Sequence, residues 1–128
     1  MAKQHSPAFV RLVDEAKSRI SEMTPSELRE RQEANPALHL VDVREDREYE
    51  KSHVEGAHHL GKGIIERDIE TAIPDRDAEV VLYCGGGYRS ALAADSLQQM
   101  GYQNVYSLDG GFRALQSEGF TIEEEEGA

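Results

Sequence analysis

Short apolar runs alternate with longer amphipathic segments between residues 38 and 108, and this alternation limits the folds open to the chain. The apolar runs predict strands at 38–43, 79–83 and 104–108, with a weaker strand around 58–60. Apolar residues at helical spacing predict helices at 63–73 and 89–100. Strands that alternate with helices favour a parallel or mostly parallel sheet with helices on both faces. The predicted fold class is therefore α/β, with three layers.

Two helices are predicted before this region. Ser6 and Pro7 are typical of an N-cap and a first helical residue, and apolar residues then recur at helical spacing as far as Met23. Thr24 and Glu27 form a capping-box pattern that opens a second helix, which is predicted to end at Asn35 and Pro36.

The chain has 128 residues, enough for one domain with its own core and too few for two ordinary domains. Residues 1–23 are interpreted as an amphipathic helical extension and residues 24–120 as the domain. Four consecutive glutamates, from 123 to 126, predict that residues 121–128 form a solvated, disordered acidic tail.

The formal net charge of −11 bears on the kinds of partner. Such a charge repels phosphate backbones and acidic lipid surfaces, so nucleic acid and membranes are not expected as partners. Neither a run of roughly 20 apolar residues nor an apolar secretory signal is found, and a cytoplasmic location is the expectation.

Cys84 is the chain's one cysteine and cannot form an internal disulfide. It ends a predicted strand and opens the run Gly85, Gly86, Gly87, Tyr88 and Arg89, which leads into a predicted helix. Consecutive glycines can turn their N–H groups towards a sulfur at a helix N-terminus, where the helix dipole also favours negative charge.

This setting predicts a reactive thiolate that is open to solvent, because a helix N-terminus and a nearby cation lower the pKa of a cysteine. Arg89 is the only cation within the loop, and its planar guanidinium offers a fork for two oxygens of an anionic substrate. For an isolated cysteine, a buried apolar filler with a tight glycine turn would be the more common interpretation. The strand, glycine run, arginine and helix in succession favour the thiolate.

The loop from Cys84 to Arg89 resembles the C-x-x-G-x-R active-site loop of rhodanese domains. Further similar motifs lie around the loop in the family's order, and together they cover roughly residues 24–118: Val41 to Glu45, Glu48 with Tyr49, Ser52 to Ala57, Gly101 to Val105, and Leu108 to Gly111.

The resemblance implies a rhodanese-like fold, with a central mostly parallel sheet, and a thiosulfate sulfurtransferase activity without a metal or other cofactor. Cys84 would take a sulfur atom from a small anionic donor such as thiosulfate, or from a persulfide. The resulting persulfide would be held by N–H groups of the glycines, Tyr88 and Arg89, and a thiol, cyanide or a protein acceptor would remove the sulfur.

Family analogy also suggests that Asp42 braces the loop, with Arg44 beside it, although a surface ion pair is an open alternative. It makes His53 a structural hydrogen-bonding residue. Tyr88 is predicted to form part of the pocket wall. His53, His58 and His59 do not have the spacing of a metal site, because neighbouring histidines on a strand point to opposite faces.

Two other functions remain open. A non-catalytic or carrier-type rhodanese module that serves a protein partner would keep the same residues. A cysteine phosphatase or arsenate reductase also uses a cysteine and an arginine around a backbone nest, but such enzymes commonly place five residues between the two. Only four residues lie between Cys84 and Arg89.

Overall fold

The computed structural model describes residues 5–125. Within that range the chain forms six helices and seven strands. The helices are α1 (Pro7–Lys17), α2 (Pro25–Ala34), α3 (Asp46–Lys51), α4 (Ile65–Ala72), α5 (Tyr88–Gln99) and α6 (Gly111–Ser117). The strands are β1 (Ser21–Met23), β2 (His39–Asp42), β3 (Ser52–Val54), β4 (His58–His59), β5 (Glu79–Tyr83), β6 (Asn104–Leu108) and β7 (Ile122–Glu124).

Five strands form a central sheet in the order β1-β6-β5-β2-β4, and every neighbouring pair in it is parallel. The predicted α/β class and the mostly parallel sheet are confirmed. β3 and β7 form a separate antiparallel pair. Because β5 is central and buried on both faces, its run of valine, leucine and tyrosine gives one of the most accurate strand predictions.

The sheet separates two hydrophobic cores. Val80, Leu82 and Cys84 alternate with Val81 and Tyr83 along the chain, so that β5 and the residue after it contribute to both cores. The first core is completed by α4 and α5, and the second by α2 and α6. The helices therefore cover both faces, as predicted.

The first helix is shorter than predicted. Ser6 caps α1 as expected, since its hydroxyl accepts from Phe9 N–H at 3.3 Å, but the helix ends at Lys17. The chain then turns, and residues up to Met23 form β1 on the edge of the sheet. α1 packs on α5 through Val13 and Ala16, and a salt bridge joins Arg19 to Asp95 at 2.8 Å.

The acidic tail differs from the prediction of disorder over residues 121–128. Ile122–Glu124 forms β7 and pairs with β3, and Glu123 Oε1 lies 3.1 Å from Nε2 of His53. Main-chain pairing and a histidine partner offset the repulsion among these glutamates. Residues 126–128 lie outside the described part of the chain.

Candidate active site

Cys84 lies at the carboxyl edge of the central sheet, directly after β5. Gly85 and Gly86 make the turn, and α5 begins after Gly87. The φ angle of Gly87 is 102°, in the left-handed region that glycine adopts without steric strain. The turn therefore brings the first turn of α5 against the sulfur of Cys84.

Backbone N–H groups point at this sulfur. Gly87 N–H donates to Sγ at 3.1 Å and Ser90 N–H at 3.4 Å. Sγ also lies 3.5 Å from Oγ of Ser90, which in turn lies 2.8 Å from Oγ of Ser107. If the Ser107 hydroxyl donates to Ser90, the Ser90 hydroxyl is free to donate to a thiolate.

The pKa of Cys84 reflects two opposing effects. Burial raises the pKa, because it disfavours the charged form. Hydrogen bonds from the Ser90 hydroxyl and from the N–H groups of Ser90, Gly87 and Gly86 lower it, and together they outweigh burial. The pKa of the thiol therefore lies below its ordinary value.

The expected solvent exposure of the sulfur is wrong, because Cys84 is only 1% exposed. The loop covers the side chain, yet the N–H groups still face it. Ser90 also contributes an N–H group, a donor that was not predicted. The N–H groups of Tyr88 and Arg89 were predicted to hold the outer sulfur of a persulfide, and this remains a prediction.

Arg89 forms an ion pair that was not predicted from the sequence. Its Nη1 donates to Oε2 of Glu48 at 2.8 Å and its Nη2 to Oε1 at 3.2 Å. Hydrogen bonds from Arg89 lower the pKa of Glu48 to about 2, against the opposing effect of burial. The fork that was expected to bind two oxygens of a substrate therefore binds two oxygens of Glu48.

Tyr88 lies under the N-terminal segment. Its ring centroid is 4.6 Å from that of His5 and 6.0 Å from that of Phe9, and Nζ of Lys17 is 5.5 Å from it. These contacts place the ring against α1 and the residues before it.

Asp42 and Arg44 form a buried ion pair, so the alternative of a surface pair is wrong. Asp42 is 0% and Arg44 5% exposed, and Arg44 Nη2 donates to Asp42 Oδ2 at 2.8 Å and to the Ser52 carbonyl at 2.6 Å. The Arg44 guanidinium also lies over the Phe112 ring, 4.2 Å from its centroid. The pair thus joins the end of β2 to β3 and α6.

The histidines have separate contacts. His53 Nδ1 lies 2.9 Å from the Tyr49 carbonyl oxygen, and its ring stacks on that of Tyr49. His59 Nε2 lies 2.9 Å from the Arg44 carbonyl oxygen, whereas His58 is exposed. Among residues 5–125 no group of three or more His, Cys, Asp or Glu side chains is arranged to hold a metal ion.

α6 presses against the other side of the loop. Phe112 N–H donates to the Cys84 carbonyl at 2.7 Å. A Cβ on Gly111 would lie 2.5 Å from that oxygen, so only glycine allows this approach. Arg113, which follows Phe112, lies over the loop at Gly86. Its place was not predicted, because nothing in the sequence indicates that α6 returns to the loop.

A cavity of about 640 Å³ opens beside Arg89. Residues 43–47 and 61–64 line it together with Arg89. It therefore lies at the carboxyl ends of β2 and β4, which is where ligands bind in open parallel sheets. Within residues 5–125, no helix has the length and the apolar character needed to cross a bilayer.

Proteins with similar amino-acid sequences include sulfurtransferases. The thiosulfate sulfurtransferase PspE of Escherichia coli is 36% identical over 74 residues, which cover 58% of this chain and 71% of that protein. The thiosulfate sulfurtransferase GlpE of Pseudomonas fluorescens is 40% identical over 78 residues, covering 61% of this chain and 70% of that one.

A solved structure from Rhodopseudomonas palustris, of a protein of unknown function described as a possible tyrosine phosphatase, is similar over 96% of this chain and 99% of its own. Its TM-score is 0.82 and its sequence identity 30%. The family model for the rhodanese-like domain matches residues 24–118, and that range holds the whole loop around Cys84. The chain belongs to the rhodanese-like domain family.

Proposed function

We propose that this protein is a sulfurtransferase in which Cys84 carries the transferred sulfur as a persulfide. The observation that supports this most is the set of N–H groups from Gly86, Gly87 and Ser90 around the sulfur, together with a pKa below that of an ordinary thiol. A sulfur held in this way loses its proton more readily than an ordinary thiol, so the chemistry does not call for a histidine as general base. The similarity to two thiosulfate sulfurtransferases points to the same chemistry.

In the first step, the Cys84 thiolate attacks the outer sulfur of thiosulfate. The S–S bond of thiosulfate breaks, sulfite leaves with the electron pair of that bond, and a persulfide anion forms on Cys84. No proton moves in this step. The N–H groups of the loop then stabilise the negative charge on the persulfide.

In the second step, an acceptor such as cyanide or a thiol attacks the outer sulfur and Cys84 returns to the thiolate. The chain has no second cysteine, so no internal thiol can resolve the persulfide. Donor and acceptor therefore react in turn at one atom, and the kinetics follow a ping-pong scheme. A protein thiol as acceptor uses the same step.

The burial of Cys84 adds a requirement. Because Cys84 is only 1% exposed, its sulfur cannot meet a donor unless part of the covering loop moves aside. Gly85 and Gly86 give this segment the freedom to change its backbone conformation at low steric cost.

A phosphatase activity is the alternative suggested by the description of the Rhodopseudomonas palustris protein. The loop argues against it in two ways. Four residues separate Cys84 from Arg89, and the guanidinium that would hold a phosphate binds Glu48 instead.

The test is a steady-state assay of thiocyanate formation from thiosulfate and cyanide, run beside hydrolysis of p-nitrophenyl phosphate. We expect thiocyanate production with parallel double-reciprocal lines, which Cys84→Ser reduces to background. Phosphate ester hydrolysis without thiocyanate formation would reject the sulfurtransferase and support the phosphatase.

A further inference from the structure

The cation expected to meet the donor is neutralised. Both terminal nitrogens of Arg89 bind the carboxylate of Glu48, at 2.8 and 3.2 Å. A backbone hydrogen bond also holds the Glu48 carboxylate in place, because Glu45 N–H donates to its Oε2 at 3.0 Å. Arg89 and Glu48 together carry no net charge, so they offer little attraction to a donor with two negative charges.

A second guanidinium, that of Arg113, lies over the same loop. An ideal Cβ on Gly85 would lie 3.3 Å from Nη2 of Arg89, whereas one on Gly86 would lie 2.9 Å from Nη2 of Arg113. The two glycines thus each face one arginine. The absence of a side chain on Gly86 is what lets Arg113 lie this close to the loop.

Arg113 is available for a ligand. It is exposed, and its one side-chain hydrogen bond among residues 5–125 runs from Nε to the Gly85 carbonyl oxygen at a long 3.4 Å. No acidic side chain of the described residues forms an ion pair with it. Its terminal nitrogens therefore keep free donors, and its charge is uncompensated.

We propose that Arg113, rather than Arg89, positions the anionic end of the sulfur donor. This inference rests on the proposed function. In the transfer step, the bond between the outer sulfur and the oxygen-bearing sulfur of the donor breaks, and its electron pair leaves with sulfite from thiosulfate or with a sulfinate from a thiosulfonate. A guanidinium fork near those oxygens binds the donor, and because the oxygens carry their charge throughout the step, its effect falls on donor binding.

Two donors with the same reacting bond but different charge test this proposal. Thiosulfate carries two negative charges and releases sulfite, whereas methanethiosulfonate carries one and releases methanesulfinate. Thiocyanate formation would be measured with each donor for wild type, Arg113→Gln, Arg113→Lys and Arg11→Gln. Arg11 is exposed on α1, and no hydrogen bond or ion pair among residues 5–125 joins its side chain to the loop, so its substitution removes the same charge without removing a loop contact.

We expect Arg113→Gln to raise the KM for thiosulfate about tenfold and that for methanethiosulfonate less, since the lost attraction scales with donor charge. The kcat should change little. Arg113→Lys should recover much of the affinity, because it keeps the charge. Arg11→Gln should behave as wild type.

The outcomes are distinct. If wild type uses both donors and Arg113→Gln matches Arg11→Gln with each, the assignment of Arg113 is wrong while the proposed function stands. If wild type uses neither donor, the proposed function fails and this inference fails with it. A loss in Arg113→Gln confined to kcat would indicate a structural role for the side chain and would overturn the proposal.

Discussion

At the scale of single residues, the environment of Cys84 is set by hydrogen-bond donors that outweigh its burial. Ser90 supplies both an N–H group and a hydroxyl, and Ser107 lies behind that hydroxyl. Both serines are fully buried, as expected for polar groups whose hydrogen bonds are satisfied. Their side chains therefore tune the sulfur and do not meet solvent.

Ser90→Ala removes one of the donors that lower the pKa of Cys84, so the pKa should rise. In the wild type, the lowered pKa lets the thiol ionise at a lower pH than an ordinary cysteine. The variant should therefore need a higher pH to reach the same fraction of thiolate. We expect alkylation by iodoacetamide at neutral pH to slow several-fold. The measurement is the pH profile of that rate.

Ser96→Ala is the matched control, since Ser96 lies further along the same helix. A profile for Ser90→Ala that overlays those of wild type and Ser96→Ala would show that the hydroxyl has no effect on the sulfur.

Sequence patterns predicted part of this site. Cys84, the glycines and the start of α5 could be placed because a strand, glycines and an amphipathic helix follow one another in the chain. Glu48, Ser107 and Arg113 could not, because each reaches the loop from a segment remote in sequence. The burial of Cys84 was also missed, because the sequence does not show whether the glycine loop folds over the sulfur.

At the scale of elements, length and burial decided which predictions succeeded. β5, β6 and α5 are long enough to show a clear period, and their predicted bounds agree within a residue. α3 and α6 have six and seven residues, and β1, β3 and β7 have three each. Elements this short form through tertiary contacts, so they carry no periodic pattern.

α3 carries Glu48 to Arg89, and this pair should make stability depend on pH. The folded protein holds the pKa of Glu48 at about 2, below its usual 4.5. The ionised Glu48 therefore stabilises the folded protein fully above pH 4.5, and this stabilisation is lost as the pH falls towards 2. Because the Glu48 side chain is 34% exposed, solvent screening limits the contribution to about 1 kcal/mol.

The measurement is the free energy of unfolding in urea at pH 5 and pH 3 for wild type, Glu48→Gln and Glu50→Gln. Glu50 lies two positions along α3 and is exposed, so it cannot face Arg89 in the same way. Wild type and Glu50→Gln should lose more stability between these values than Glu48→Gln does. Equal losses in all three proteins would show that the pair does not contribute.

At the scale of the whole molecule, the central parallel sheet brings the loop after β5, the start of α3 and the start of α6 to one edge. The α/β class and the placement of helices on both faces of the sheet could be predicted, because they follow from the alternation of strands and helices. The order of strands and the pairing of β7 with β3 could not. Both depend on which strand edges meet in space. The glutamates of β7 also predict a solvent-exposed tail when judged by composition alone, although they pair with β3.

The molecule has a single cysteine, so any sulfur added to a thiol must be on Cys84. The most direct test of the account is therefore the intact mass of the native protein after incubation with thiosulfate and removal of the excess. We expect a gain of about 32 Da, one sulfur atom, which cyanide removes and which Cys84→Ser never shows. A wild-type protein whose mass is unchanged by thiosulfate and by polysulfide would contradict the account.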